Sequence, residues 1–152
     1  MSETAIGIDL GGTRIKALAL DAEGNILHQL YKLTNDGDDA AWKNAVAAAV
    51  YELKYRLQNE NIVVGISAPG LPNNSNTAIA FMPGRLQGLE NFAWKDFLQT
   101  PSYVLNDAVS ALMAEARLGA AKQKRNVVMI TLGTGVGGAI LINGKPYQGA
   151  FN

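Results

Sequence analysis

The sequence predicts an α/β chain: a three-stranded meander, then a strand–helix series, then the opening of a second meander. Three observations carry that expectation. Ile8-Asp9-Leu10-Gly11-Gly12-Thr13 and Leu132-Gly133-Thr134-Gly135-Val136-Gly137-Gly138 are glycine-rich turns. Each follows an apolar β-branched run, so each reads as a strand ending where bare backbone amides can approach a phosphate. Between them lie a long amphipathic stretch and several short apolar runs of strand length. The strand pattern that precedes the first helix returns after the last one, as though a second lobe began like the first, with a nucleotide held between the two.

Ala5–Leu10, Arg14–Asp21 and Asn25–Lys32 read as consecutive strands joined at Gly11-Gly12 and Glu23-Gly24-Asn25, an antiparallel meander. From Ala40, the apolar side chains Ala45, Val46, Ala49, Val50, Leu53 and Leu57 recur at three- and four-residue steps, which predicts a helix crossing back over the sheet. Asn35 to Asp39 supplies its polar, cap-rich start. Ile62–Ser67 is an apolar run of the kind found in buried parallel strands, and Pro69-Gly70 ends it in a turn. Leu71 to Leu89 has little periodicity and many turn formers, so it reads as a functional or mobile loop. A short helix near Glu90–Leu98, a strand Ser102–Leu105 and a helix from Asn106-Asp107 to the stop at Gly119 come next. Asn126–Leu132 and Val136–Ile142 are strands across the second glycine turn, and Asn143-Gly144 signals a hairpin into a third strand, Lys145–Gln148. The expected division is a first lobe over residues 1–121 and the first strands of an incomplete second lobe over 122–152.

A chain of 152 residues can bury roughly 68–70% of its unfolded surface, enough for an independent core. Thirteen basic residues balance thirteen acidic ones, so no global field draws the chain to nucleic acid or anionic lipid, and specific pockets must do the recognition. The absence of cysteine removes disulfides, thiolate zinc ligands and cysteine nucleophiles and fits a reducing compartment. No apolar run approaches the ~18 residues of a membrane span, and Met1 to Ile8 is too short and acidic for a signal peptide. A cytoplasmic protein with no membrane or nucleic-acid partner is the expectation.

Four motifs, Asp9-Leu-Gly-Gly-Thr-Arg-Ile-Lys16, Ser67-Ala-Pro-Gly70, Leu105-Asn-Asp-Ala108 and Thr131-Leu-Gly-Thr-Gly-Val-Gly-Gly138, resemble in order and spacing the ROK family of bacterial sugar kinases, repressors and uncharacterised proteins. The resemblance runs through the whole chain. It implies the actin–hexokinase–Hsp70 type of fold, with the first part of this chain an actin-like (ribonuclease H-like) lobe, closing on a sugar and Mg-ATP. It further implies that Asp107 is the catalytic base, the group that takes the sugar hydroxyl proton during phosphoryl transfer. Read without the family, Asn106 or Asp107 is more simply a helix cap.

Asp9 precedes the first turn, where one carboxylate can hold Mg²⁺ through water beside the phosphates. Gly11, Gly12 and Thr13 are expected to cradle phosphate, and Gly133, Thr134, Gly135 and Gly137 to do the same from the second lobe. Two ordinary hairpin turns are the plainer alternative. Lys16 shares a strand face with Arg14 and adds positive charge there or is simply solvated. Asn106 and Asp107, with the backbone at Gly70 and Gly84, are the sugar-contacting positions that the resemblance implies. The family's Gly-Glu-x-Gly-His type of segment and its cysteine-rich zinc site lie beyond Asn152, so no zinc site is expected within these residues.

Other residues have plainer readings. His28 is expected to be solvated or packed, Trp42 and Trp94 to pack, and Glu115 to pair with a neighbouring base or cap. Where the family often carries a second Asn, two residues after the Asp, this chain has Val109. The leading functional reading is an ATP-dependent sugar kinase, of which this chain is an N-terminal portion with little activity alone. The alternative is a non-catalytic sugar-binding or regulatory protein, weakened as a repressor because Asp9 comes too early to leave room for a helix-turn-helix. An unfinished three-stranded edge is prone to pairing, which leaves a homo-oligomer open.

Overall fold

The computed structural model describes residues 4–132 and 135–149. Strands β1 (Thr4–Leu10), β2 (Arg14–Asp21) and β3 (Ile26–Leu33) form the expected antiparallel meander. Its second turn is locked by Asp21, whose carboxylate accepts from both the backbone and the side-chain nitrogen of Asn25 at 2.8 Å. Helix α1 (Asp39–Leu57) begins at an Asp38 cap accepting from the Ala40 and Ala41 amides, and stops at Gln58 in the left-handed conformation. Strand β4 (Val63–Ala68) then runs parallel to β1, with Asp9 opposite Ser67.

After β4 come β5 (Leu71–Pro72), β6 (Ile79–Phe81), the short helix α2 (Trp94–Leu98) and β7 (Ser102–Asn106). The strand order of the five-stranded sheet is β3-β2-β1-β4-β7. Its alternate side chains, Ile6, Ile8, Leu10, Ile15, Ala17, Ala19, Val64 and Ile66, meet Trp42, Val46, Ala49, Val50 and Leu53 of α1 in one core, all nearly or fully buried. The helical spacing therefore identified the correct face of α1.

Two expectations are corrected here. Residues 71–89 are not loop throughout, since β5 and β6 pair as a small hairpin. Asn73 builds it by accepting from the Thr77 amide and donating from Nδ2 to Thr77 Oγ1, a side-chain scaffold that hydrophobic periodicity does not register. The short helix begins only at Trp94, because Leu89 to Phe92 is consumed by turns in which Asn91 has a positive φ of 56° and donates to the Ile79 carbonyl. Strand β4 is parallel, as expected, yet Val63 and Gly65 are exposed while Val64 and Ile66 are buried. Helix α1 covers only one face of the sheet.

Helix α3 (Asp107–Leu118) is followed by the antiparallel strands β8 (Val127–Leu132), β9 (Val136–Ile142) and β10 (Lys145–Pro146), ordered β10-β9-β8. The third strand is shorter than expected and ends at Pro146, which has no amide to extend the ladder. Two compact units divide between Leu105 and Asn106, one helix earlier than the expected lobe boundary at 121. The reason is that Ala108 and Leu112 of α3 bury against Ala139 and Leu141 of β9.

Within the first unit, Lys32 Nζ of β3 donates to Glu52 Oε2 of α1 at 2.9 Å, and Arg56 Nη2 donates to Glu52 Oε1 at 2.5 Å. The Lys32 hydrogen bond, then the charges of Lys32 and Arg56, hold the Glu52 carboxyl below the ordinary carboxylate range. A depressed carboxylate contributes stability above its unfolded pKa and loses it as pH falls through the folded value. Glu52→Gln is expected to lower urea midpoints at neutral and alkaline pH and to flatten their fall on the acid limb, so that variant and wild type converge at low pH.

Candidate functional site

The first glycine turn is held from three directions. Gly11 donates to the Arg14 carbonyl at 3.2 Å, closing the turn between β1 and β2. A Cβ on Gly11 would meet that same oxygen at 2.9 Å, so the turn requires glycine there. Thr34, fully buried at the end of β3, donates its hydroxyl to the Gly11 carbonyl at 2.6 Å and its amide to the Thr13 carbonyl at 3.1 Å. The carbonyls are thus drawn toward β3, and among the described residues the Gly12 and Thr13 amides donate to no protein acceptor. Amides left in this way suit an anion.

Asp9 is exposed and sits opposite Lys16 across the β1–β2 ladder. Its carboxylate has no hydrogen-bonded protein partner among the described residues, and no cluster of three or more metal-ligating side chains is found among them. One exposed carboxylate is the kind of protein partner that Mg²⁺, which keeps most of its waters, takes. Lys16 is half-buried, and Arg14 lies over the Tyr31 ring at 4.9 Å.

Gly70 and Gly84 both lie in the segment after β4. Gly70 has φ 97°, and a Cβ there would meet the Phe81 carbonyl oxygen at 2.7 Å. Gly70→Ala is therefore expected to lower stability by about 1–3 kcal/mol or more, read from chemical denaturation. Gly84, at φ 86°, lines a cavity of about 930 Å³ together with Asp36, Met82, Arg85 and Glu90.

The second unit carries the rest. Asn106 caps α3, its Oδ1 accepting from Ala108 at 3.0 Å and Val109 at 3.3 Å. Asp107, the first helical residue, is exposed, and only its Oδ1 has a protein partner among the described residues, the Ala108 amide at 2.8 Å. Val109 packs against the α3–β9 cluster. Gly133 and Thr134 lie outside the described residues. Gly135 stands beside them, whereas Gly137 is inside β9 opposite Thr131, where a Cβ would come within 2.7 Å of the Thr131 hydroxyl oxygen. A side chain at 137 would therefore have to displace the Thr131 hydroxyl.

The plainer readings hold for the aromatic residues. Trp42 and Trp94 are fully buried and pack edge-to-face with Phe92. Glu115 accepts from the Ala120 amide at 2.7 Å beyond the end of α3, a capping role. His28 is partly exposed in β3. Sequence reasoning missed Thr34, which bonds to the first turn, and the Asp36–Arg85 pair, whose guanidinium lies against Gly12. Thr34 follows an apolar strand like any cap residue, so no local signal marked it.

The family model for the ROK family matches residues 5–152. The chain belongs to the ROK family. A Streptomyces coelicolor glucokinase is 37% identical over 96% of this chain and 46% of its own length. A Klebsiella pneumoniae β-glucoside kinase is 34% identical over 92% of this chain and 48% of its own. This ROK chain therefore spans about half the length of those curated relatives. A solved ROK glucokinase from Streptomyces griseus, in complex with glucose and AMPPNP, superposes with a TM-score of 0.83 at 34% identity, over 97% of this chain and 47% of that one. The mixed sheet of the first unit is accordingly an actin-like ATPase fold, as the resemblance implied. No helix among the described residues is long and apolar enough to cross a membrane.

Proposed function

We propose that this ROK chain is the sugar- and phosphate-binding portion of an ATP-dependent kinase acting on a hydroxyl of a hexose or N-acetylhexosamine. The observation that carries the reading is the division of labour at the head of α3. Asn106 fills the capping role, which leaves Asp107 an exposed carboxylate whose Oδ2 has no protein partner among the described residues. In transfer, the sugar hydroxyl oxygen forms a bond to the γ-phosphorus as the bond to the ADP oxygen breaks, and Asp107 takes the hydroxyl proton. Asn106, Gly70 and Gly84 orient the sugar, and the Gly12 and Thr13 amides, with Lys16, meet the phosphates.

Gly133, Thr134, Gly135 and Gly137 serve the phosphates in the same way, with β8 to β10 the opening strands of a second lobe. Bound Mg²⁺ would neutralise phosphate charge, held by Asp9 through water. The relatives' glucokinase and β-glucoside kinase activities, and the AMPPNP bound to the S. griseus enzyme, support a carbohydrate acceptor and an ATP donor.

The test is to measure sugar phosphate directly, with Mg-ATP and a panel of glucose, mannose, fructose and their N-acetylamino relatives. The chain is assayed both alone and grafted in place of the aligned segment of the S. coelicolor glucokinase. Slow or no turnover is expected from the chain alone and clear product from the graft. A graft that folds and binds ATP yet makes no sugar phosphate would overturn the reading.

A further inference from the structure

Arg85 lies in the loop after β6, and its guanidinium rests directly on the backbone of Gly12. A Cβ on Gly12 would overlap the Arg85 Nη2 and Cζ atoms. Asp36 fixes that position from the segment between β3 and α1: one carboxylate oxygen accepts from Arg85 Nε at 3.3 Å and the other from the Leu86 amide at 2.6 Å. The ion pair uses the Nε of the guanidinium, and its two Nη groups donate to no protein acceptor among the described residues. Nothing buries this cation, since its side chain is 59% exposed. The same turn presents the Gly12 and Thr13 amides.

A planar donor fork beside two unpaired amides is suited to phosphate oxygens, which arginine binds through paired N–H groups. We propose that Arg85 is a phosphate-binding residue of the first glycine turn, holding the terminal phosphate of the donor through its Nη groups while Asp36 holds the guanidinium in place. The proposal rests on reading that turn as a phosphate cradle. It also gives Gly12 a second reason to be glycine, because any side chain there would push Arg85 off the turn.

Inorganic tripolyphosphate, titrated calorimetrically into the purified chain, isolates this contact from the sugar and the nucleoside. Arg85→Gln can still hydrogen-bond to Asp36 but carries no charge, and it is expected to weaken tripolyphosphate binding about tenfold with an unchanged melting temperature. Arg85→Lys should recover part of the loss. Gly12→Ala should weaken binding as Arg85→Gln does, and the double variant should be no weaker than either single one, because both remove the same contact.

Wild-type binding that Arg85→Gln leaves unchanged would overturn the proposal while the phosphate-cradle reading stands. A wild-type chain that binds no tripolyphosphate would overturn both. Weakening by Arg85→Gln that comes with a lowered melting temperature, and that Arg85→Lys does not relieve, would make Arg85 a loop clamp only and also overturn it.

Discussion

In the grafted enzyme, Asp107→Asn is expected to lower kcat by about 10²- to 10⁴-fold, the range that a positioned general base contributes. The substitution is well controlled by the local structure. An asparagine Oδ1 can still accept from the Ala108 amide, and the helix keeps its Asn106 cap, so α3 should retain its start. Stability should change little, and the sugar KM should stay within a few-fold, because the hydroxyl can still be hydrogen-bonded but not deprotonated. A fall in kcat and kcat/KM together, with KM steady, is the signature of an interaction made in the transition state. Retention of more than a tenth of the wild-type kcat would remove Asp107 from the role of base. Asn106→Ala provides the contrast, since it should cost about 1 kcal/mol of stability through the lost cap in addition to any effect on the sugar.

The largest stability effect is expected from Trp42→Ala, at about 3–5 kcal/mol. Trp42 is fully buried on α1, its ring 5.9 Å from Phe92 and 5.8 Å from Trp94, and its Nε1 donates to the Gln87 carbonyl at 3.2 Å. Truncation leaves a cavity where three aromatic rings met and removes the bond that ties helix α1 to the loop carrying Gly84 and Arg85. Against a typical domain stability of about 5–15 kcal/mol, that is a large fraction, and it should appear as a fall in melting temperature of roughly 6–20 °C. Trp42→Phe should recover much of the packing and lose the hydrogen bond. A loss below about 1 kcal/mol for the alanine variant would show that the cluster is not the anchor its burial suggests.

The parts of the fold legible in the sequence are those whose physics is local. The meander, the face of α1 and the head of α3 each follow from spacing and turn chemistry between neighbouring segments, and each stands in the structure within a residue or two. Element ends set by side-chain hydrogen bonds were not legible. Asn73 folds the β5–β6 hairpin out of a stretch with no apolar period, and the turns around Asn91 delay α2 to Trp94.

The sequence alone determined the glycine turn that ends the first strand and the Asn-Asp pair that opens a helix, because backbone freedom and capping are properties of single residues and their neighbours. Only the tertiary structure decided what surrounds that turn. Thr34 reaches Gly11 across 23 positions, and Asp36 holds Arg85 across 49, so that a buried hydroxyl and an exposed guanidinium flank Gly11 and Gly12. It also decided that α3 buries Ala108 and Leu112 against Ala139 and Leu141 of β9. Such meetings depend on which surfaces find one another once the chain has collapsed, and no periodicity along the chain records them.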